Sequence, residues 1–197
     1  MKIEGNQNIQ EIKKELRKKM LSQSLALPEL YKRYADTRII ELLLGLSEYK
    51  RASNVFCFVG LEHEINTRPF LKHVLADGKI LAVPLCTEKG IMEARRILSL
   101  EELKKGYYGL FQPDASSELI PIEEIDFAVI PCLAADHKGN RLGHGGGYYD
   151  NLFNKHSDVP AAVVCRERMC NEVIPIEPFD HCFQITVTEN SVFRNNN

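Results

Sequence analysis

The sequence predicts an α/β fold: a three-layer α/β/α domain with a mostly parallel sheet, preceded by an N-terminal helical hairpin. Apolar, strand-like runs alternate with helical patterns along most of the chain, which is the order that βαβ units produce. Two helical stretches come before the first strand. With 197 residues, 44% of them hydrophobic, the chain can bury one sizeable core. We therefore predict a single domain over 1–197, with flexible ends at 1–8 and 193–197.

The two N-terminal helices follow from apolar spacing and from one proline. Ile9, Ile12, Leu16 and Met20 recur at helical intervals, which predicts a first helix over about 8–26. Pro28 suits the first turn of a second helix. We expect that helix to end at about residue 48.

The remaining elements follow from apolar runs and the turn residues between them. A glycine ends the predicted helix at 67–78, and the turn signal EKG predicts a hairpin between the second and third strands. In such sheets, ligands bind outside the carboxyl ends of the strands. Strands are predicted at 53–60, 79–86, 91–98, 125–134, 161–166 and 182–189, the last being the final one, and a further helix at 148–156.

Composition excludes several classes of function. The net charge is −2 and the pI is about 6.3, so the chain lacks the basic field that holds nucleic acid or an anionic membrane, and any phosphate must be held locally. No apolar run reaches the length of a membrane span and no secretory leader is recognisable, which predicts a cytoplasmic protein. Six cysteines without a CxxC pair predict buried free thiols rather than disulfides or a zinc site.

The segment GNRLGHGGGYYD at 139–150 is the most informative part of the chain. We call residues 139–147 the glycine loop. Glycines let backbone N–H groups approach an anion, and a helix that starts after Gly147 would point its positive end at the same place. The loop is neither a P-loop nor a dinucleotide fingerprint, because the required Gly-Lys-Ser/Thr and strand-to-GxGxxG contexts are missing. The glycines alone leave a phosphate cradle and a sharp structural turn equally open.

The neighbours of these glycines favour the cradle. Arg141 supplies a permanent cation and His144 a titratable donor, while Tyr148 and Tyr149 add rings and hydroxyls. Asp150 could offset the helix dipole, or it could hold Mg²⁺ beside a bound polyphosphate. Further loop carboxylates that could join it are Asp136 and Asp180.

The run IDFAVIPCLAADHKGNRLGHGGGYYD at 125–150 strongly resembles the signature of the 5-formyltetrahydrofolate cyclo-ligase (5,10-methenyltetrahydrofolate synthetase) family. In that family an apolar strand is followed by D-x-x-G-x-R-L-G-x-G-x-G-Y-Y-D. Shorter similarities lie at KKELR (13–17), EINT (64–67), GLFQP (109–113) and FDHCFQITVTE (179–189). The resemblance implies ATP-dependent, Mg²⁺-requiring cyclisation of 5-formyltetrahydrofolate to 5,10-methenyltetrahydrofolate, with ADP and phosphate released. We expect these small molecules as partners, no nucleic acid or membrane, and a monomer or weak dimer.

The resemblance also assigns roles to individual residues. Catalytic roles fall to Arg141, His144 and Tyr149, and metal binding to Asp150 and Asp180. A carboxylate at Glu64 would accept paired hydrogen bonds from the pterin ring. Folate binding is assigned to Leu61, Glu64, Gly145, Gly146, Gly147, Tyr148 and Tyr149. ATP binding is assigned to Lys13, Arg17, Asn140, Arg141, Leu142, Gly143, His144, Gly145, Gly146, Gly147, Tyr148 and Tyr149.

Simpler alternatives stay open beside these assignments. Lys13 and Arg17 could form a solvated basic helix face, Glu64 could be a capping or surface residue, and the two tyrosines could be core packing. Two other functions also stay open: an ATP-dependent kinase or ligase that acts on another small acceptor, and a non-catalytic folate-binding or nucleotide-binding paralogue.

Several positions depart from the family pattern. His144 stands where many members have arginine, so part of the charge of the loop would depend on pH. The other departures concern the pterin side and turnover: Asn66 for aspartate, Gln112 for glutamate, Asn151 for arginine, and Cys165 with Arg168 in the segment 163–170.

Overall fold

The computed structural model of the chain describes residues 8–106 and 109–195. Its helices are α1 (Ile9–Leu25), α2 (Glu29–Gly45), α3 (Ser47–Arg51), α4 (Arg68–Ala76) and α5 (Tyr148–Phe153). The strands of the main sheet are β1 (Asn54–Cys57), β2 (Ile80–Glu88), β3 (Ile91–Ile97), β6 (Phe127–Ile130), β9 (Ala161–Val164), β10 (Ile185–Val187) and β11 (Val192–Arg194). Two small antiparallel pairs lie outside it: β4 (Lys104–Lys105) with β5 (Phe111–Gln112), and β7 (Ala134–Ala135) with β8 (Arg141–Leu142).

The seven strands of the main sheet follow the order β11-β10-β9-β6-β1-β2-β3. All neighbours from β10 to β2 pair parallel, and the edge strands β11 and β3 pair antiparallel. The predicted mostly parallel sheet is therefore confirmed, and so is the hairpin of β2 and β3.

Helices cover both faces of this sheet. Along β1, Val55 and Cys57 are buried in a core with the apolar residues of α2, α3 and α4. Phe56 points to the opposite face, where it is buried with Met20 of α1 and Phe153 of α5. Adjacent residues of a strand point to opposite faces, so this alternation requires a helical layer on each side. The predicted three-layer α/β/α arrangement is confirmed.

The N-terminal helix pair has the predicted order, with one difference. Asn8 caps α1, because its Oδ1 accepts the N–H of Gln10 at 3.1 Å. The second helix ends at Gly45 rather than near residue 48, since Leu46 is extended (φ −62°, ψ 139°) before the chain turns helical again in α3.

The C-terminal end corrects three predictions. The strand expected over 182–189 is shorter, and β11 follows it as the last strand. Residues 193–195 are therefore ordered rather than flexible: Phe193 pairs with β10 and stacks on the His137 ring at 3.8 Å between centroids. The helix expected over 148–156 ends at Phe153. The flexible ends predicted at residues 1–7 and 196–197 lie outside the described residues.

Two further observations concern thiols and membranes. All six cysteines lie outside any disulfide, but only Cys57 and Cys165 are buried and the other four are partly exposed. Within 8–106 and 109–195, no helix combines the length and the apolar character that a bilayer crossing requires.

Candidate functional site

Three loops meet at the carboxyl ends of β1, β6 and β9, which are neighbours in the sheet. The segment 58–67, which we call the β1 loop, carries Glu64, and the glycine loop after β6 carries His144. Their side chains meet with 3.3 Å between Glu64 Oε1 and His144 Nε2. Arg166, just after β9, donates to the backbone carbonyl of Glu64 at 2.7 Å. The site therefore forms where parallel-sheet topology predicts it.

The first part of the glycine loop is a turn built around a buried carboxylate. Asp136 is 1% exposed, and its Oδ1 accepts the backbone N–H groups of Lys138 and Asn140 at 2.9 and 3.0 Å. Its Oδ2 accepts the Asn140 side-chain amide at 2.9 Å. Gly139 has φ +87°, and a Cβ there would stand 1.9 Å from the carbonyl oxygen of Phe183. Asp136 is thus a structural residue, not the further metal ligand considered from the sequence.

The later glycines lie close to the protein's own side chains. A Cβ at Gly143 would stand 2.6 Å from Arg141 Nη1, and a Cβ at Gly146 would stand 2.6 Å from the Tyr148 ring. Gly145 and Gly147 have φ of +93° and +69°, the left-handed region that favours glycine. The sharp structural turn is therefore real. It coexists with an exposed stretch at 144–146, whose backbone a ligand can reach.

The short helix α5 supplies less positive potential than the sequence predicts. It begins at Tyr148, directly after Gly147 as expected, but it contains only six residues. The helix dipole grows with aligned peptide units, so this contribution to anion binding is small. Most of the positive charge near the loop must come from side chains.

Helix α1 brings one of those side chains against the glycine loop. Arg17 Nε donates to the carbonyl oxygen of Gly143 at 2.9 Å, and its guanidinium lies beside Gly145. One turn earlier, Lys13 is 3% exposed and forms ion pairs with Asp180 and, at 3.0 Å, with Glu177. Neither side chain belongs to a solvated basic face, so that alternative is wrong for this pair.

Arg141 ties α5 to the glycine loop. Its Nη2 lies 3.0 Å from Asp150 Oδ1, and its guanidinium packs over the rings of Tyr149 and Phe183 at 5.3 and 5.5 Å. The side chain is 4% exposed, and Arg141 Nε is buried without a hydrogen-bond partner. Arg141, which the sequence predicts as a cation of the phosphate cradle, is therefore buried and paired in this conformation. Arg17, in contrast, is partly exposed at the loop.

The chemistry of Asp150 and Asp180 fits Mg²⁺. The Oδ1 atom of Asp150 accepts the backbone N–H of His181 at 3.2 Å, which places the two carboxylates on adjoining segments. Asp180 Oδ2 accepts from Lys13 and from Glu177 N. Within the described part of the chain, the second oxygen of each carboxylate has no protein donor. Mg²⁺ commonly uses one or two carboxylates together with waters and substrate phosphates, so these residues remain the candidate metal ligands.

Glu64 is not a surface residue, and its carboxylate caps a turn of the β1 loop rather than a helix. Its side chain is 7% exposed, and its Oε2 accepts the backbone N–H of Leu61 at 2.9 Å. Leu61 is half-buried beside it. The neighbouring His63 reaches the same place, with 3.3 Å between its Nε2 and that of His144. Burial lowers the pKa of His63, so its imidazole is neutral at neutral pH.

Both Tyr148 and Tyr149 are partly buried against the core, and two other predicted ATP ligands also have structural partners. Tyr149 is half-buried with its ring edge-on to Phe56 at 6.4 Å, and burial raises the pKa of Tyr149 well above its usual value. Its phenol is therefore a neutral donor and not a base. Leu142 is a core residue, and the Asn140 side chain donates to Asp136. Contacts of Leu142 or Asn140 with ATP would involve their backbone.

Sequence reasoning missed the group that supports the β1 loop. Arg166 Nε and Nη2 donate to the two oxygens of Asp36 at 2.7 and 3.0 Å, and the guanidinium also donates to the backbone carbonyls of His63 and Glu64 at 3.1 and 2.7 Å. Asp36 also accepts the N–H of Asn66 at 2.9 Å. The sequence signal that could have found it is the charged Arg166 directly after the buried, apolar strand β9. A cavity of about 20 Å³ beside Arg166 and Glu64 has room for one water.

The departures from the family pattern each have a partner in the fold. Gln112 is 5% exposed, and its Oε1 accepts the N–H of Cys86 at 2.8 Å. Asn151 donates to the carbonyl of Gly90 at 3.1 Å. Among these departures, only the His144 side chain contacts a residue predicted to bind folate, Glu64. The remaining contacts are local: Asn66 Oδ1 with Arg68 N at 3.2 Å, Cys165 with the Arg166 carbonyl at 3.5 Å, and Arg168 over the Tyr31 ring at 4.2 Å.

Comparison with known proteins supports the signature found at residues 125–150. The model of the 5-formyltetrahydrofolate cyclo-ligase family matches residues 9–189. A probable 5-formyltetrahydrofolate cyclo-ligase of Schizosaccharomyces pombe is 28% identical over 173 residues, or 80% of this chain and 85% of that protein. The 5-formyltetrahydrofolate cyclo-ligase of Haemophilus influenzae is 27% identical, over 89% and 95% of the two chains.

Structural comparison agrees. The solved structure of a 5,10-methenyltetrahydrofolate synthetase from Aquifex aeolicus matches with a TM-score of 0.82 and 30% identity, and the match covers 94% of each chain. The similarity thus spans both the glycine loop and the elements that hold it. The chain belongs to the 5-formyltetrahydrofolate cyclo-ligase family.

Proposed function

We propose that this chain catalyses the ATP- and Mg²⁺-dependent cyclisation of 5-formyltetrahydrofolate to 5,10-methenyltetrahydrofolate, with release of ADP and phosphate. One observation carries the proposal: the buried carboxylate of Glu64 lies 3.3 Å from His144 on the exposed part of the glycine loop. A group suited to a pterin ring therefore adjoins a backbone segment suited to phosphate. In this proposal the protein is cytoplasmic and acts as a monomer or weak dimer.

The reaction needs activation of a poor electrophile. The N5-formyl group is an amide, so its carbon resists attack by N10. Transfer of the γ-phosphoryl group to the formyl oxygen releases ADP and makes that oxygen a good leaving group. N10 then attacks the formyl carbon and loses its proton to solvent, while the carbon–oxygen bond breaks and phosphate departs. Such chemistry depends mainly on positioning and charge neutralisation.

The phosphate side of the site consists of the exposed glycine-loop backbone and its cations. Arg17 lies against the loop, and the exposed His144 imidazole offers a ring N–H beside it. Lys13 supports the acidic segment that contains Asp180. Asp150 and Asp180 would hold Mg²⁺, which supplies charge neutralisation on the phosphates. Arg141 would act through its ion pair with Asp150.

The folate side consists of the β1 loop. Glu64 would accept hydrogen bonds from the pterin, and half-buried Leu61 would provide apolar contact. Both are held in place by the hydrogen bond that the Leu61 N–H donates to Glu64 Oε2, and by Arg166 behind the loop. Tyr149 would contribute a ring and a neutral hydroxyl.

The test is formation of the methenyl product, followed by its absorbance, from 5-formyltetrahydrofolate with and without ATP and Mg²⁺. We expect product only with ATP. Glu64→Ala should weaken folate binding at least tenfold, about 1.4 kcal/mol, and leave ATP binding unchanged. Glu62→Ala, on an exposed neighbour, should change neither.

The two rival functions give different results in the same experiment. A kinase or ligase for another acceptor would bind ATP without converting the folate. A non-catalytic paralogue would be stabilised thermally by its ligands but would consume no ATP in response to 5-formyltetrahydrofolate. Either pattern would contradict the proposed activity.

A further inference from the structure

Two histidines and a glutamate converge where the β1 loop meets the glycine loop. The Nε2 atoms of His63 and His144 are 3.3 Å apart, and His144 Nε2 is 3.3 Å from Glu64 Oε1. All three ligating atoms lie within 4.8 Å of one another. Among residues 8–106 and 109–195, one other group of this kind exists, formed by His137, Glu167 and Cys170.

A single N–H satisfies this arrangement only by being shared between two acceptors. A neutral imidazole carries one N–H, and His144 Nε2 faces two partners. If that nitrogen donates to Glu64, the lone pair of His63 is left sharing the same hydrogen. If His63 donates instead, Glu64 faces a nitrogen lone pair with no hydrogen between them. A dication, in contrast, accepts a lone pair from all three atoms at once.

The distances between these atoms match those between neighbouring ligands of one metal ion. Tetrahedral ligands at Zn–N and Zn–O distances of about 2.0–2.1 Å are separated by about 3.3–3.4 Å. Both edges at His144 measure 3.3 Å. Two imidazoles with one carboxylate suit Zn²⁺ and its first-row neighbours, whereas Mg²⁺ prefers oxygen ligands only.

The part of the site on the β1 loop is also held in place before any metal binds. Glu64 Oε2 accepts the N–H of Leu61 at 2.9 Å, which leaves Oε1 directed at the histidines. Arg166 fixes the carbonyls of His63 and Glu64. Such supporting contacts strengthen metal sites by orienting their ligands.

We propose that His63, Glu64 and His144 form a binding site for a first-row transition-metal dication, with Zn²⁺ as the representative ion. The site links the β1 loop to the glycine loop. It is distinct from the Mg²⁺ position expected at Asp150 and Asp180. One consequence rests on the proposed function: because Glu64 Oε1 cannot bind a metal and a pterin together, Zn²⁺ and the folate would compete.

The experiment uses the full chain, treated with chelator and free of nucleotide and folate. Zn²⁺ binding is measured by calorimetry, and Co²⁺ binding by the visible absorption that tetrahedral Co²⁺ gives. We expect about one equivalent bound through this site, with affinity reduced about 100-fold, or 2.7 kcal/mol, in His144→Gln and His63→Gln. His144 is exposed in a loop, so the His144 variant tests the site even if His63→Gln fails to fold.

Two other histidines provide matched controls. His73→Gln, on the exposed face of α4, and His137→Gln, in the other group, should leave the affinity unchanged. Unchanged binding in His144→Gln would overturn the proposal, as would loss of binding in His137→Gln alone.

Addition of 5-formyltetrahydrofolate separates this proposal from the proposed function. We expect saturating folate to weaken Zn²⁺ binding at least tenfold. If the histidine variants lose the metal but folate has no effect, the metal site stands and the folate role of Glu64 fails. If the wild-type chain forms methenyl product but binds no Zn²⁺ or Co²⁺, the metal site is refuted and the activity stands.

Discussion

Removal of the Asp36 carboxylate should loosen the β1 loop and destabilise the whole chain. Asp36 on α2 and Arg166 after β9 form a bidentate pair, with side chains 11% and 4% exposed. Arg166 also holds the carbonyls of His63 and Glu64. The pair thus connects one helical layer, the sheet and the proposed folate site.

The expected cost follows from burial. Truncation of one partner of a buried ion pair leaves an uncompensated charge and costs about 3–5 kcal/mol. The Asp36→Ala variant also frees the N–H of Asn66, which Asp36 accepts at 2.9 Å. Since total stability is about 5–15 kcal/mol, we expect Asp36→Ala to lose at least about 3 kcal/mol. Asp36→Asn keeps one acceptor and should lose less.

Urea unfolding measures this loss, and the same helix offers a control. Glu41 pairs with Arg38 on the exposed surface of α2, with side chains 52% and 45% exposed. Exposed pairs contribute about 0–1 kcal/mol, so Glu41→Ala should change little. In the folded fraction of Asp36→Asn, the KM for folate should rise more than the KM for ATP. If Asp36→Ala costs no more than Glu41→Ala, Asp36 does not support the loop as described.

Three smaller changes test other parts of the structure. Gly139→Ala should lower the unfolding temperature sharply, because φ is +87° and the new Cβ would stand 1.9 Å from the Phe183 carbonyl oxygen; an unchanged temperature would contradict that geometry. Hydrogen bonds from Arg194 lower the pKa of Glu48 to about 2. The Glu48 carboxylate therefore stabilises the folded chain fully above 4.5, its pKa in the unfolded chain. This stabilisation is lost as the pH falls towards about 2. Glu48→Gln should reduce the loss of unfolding free energy at acid pH by less than about 1 kcal/mol, because the Arg194 side chain is half exposed. If the loss at acid pH is the same in the variant, the ion pair does not contribute. Arg17→Ala should raise the KM for ATP about tenfold or more with little loss of stability, and equal effects on ATP and folate would argue against a phosphate contact.

Most of the fold could be predicted because its signals are local. The alternation of Val55, Phe56 and Cys57 between two cores is the pattern of a strand covered on both faces. The strand β11 was missed because it is short and follows directly on a polar turn. It is held by pairing with β10 and by the stacking of Phe193 on His137, and neither contact can be read from neighbouring residues.

The candidate site was predictable only in part. The glycine loop and Glu64 carry a family signature, so their residues could be named in advance. The carboxylate of Asp36 meets Arg166 across 130 residues of sequence, and only the folded sheet brings them together. The same is true of His63 and His144. Arg141 could be named from its place in the glycine loop. Its burial against Asp150 could not, because it depends on the packing of α5.

The fate of the formyl oxygen tests the proposed chemistry most directly. The substrate would be 5-formyltetrahydrofolate labelled with ¹⁸O in the formyl group, incubated with the chain, ATP and Mg²⁺, and the released phosphate would be examined by mass spectrometry. Phosphorylation of that oxygen predicts one label in each phosphate for each methenyl product formed. Methenyl product with unlabelled phosphate would contradict activation of the formyl group by ATP.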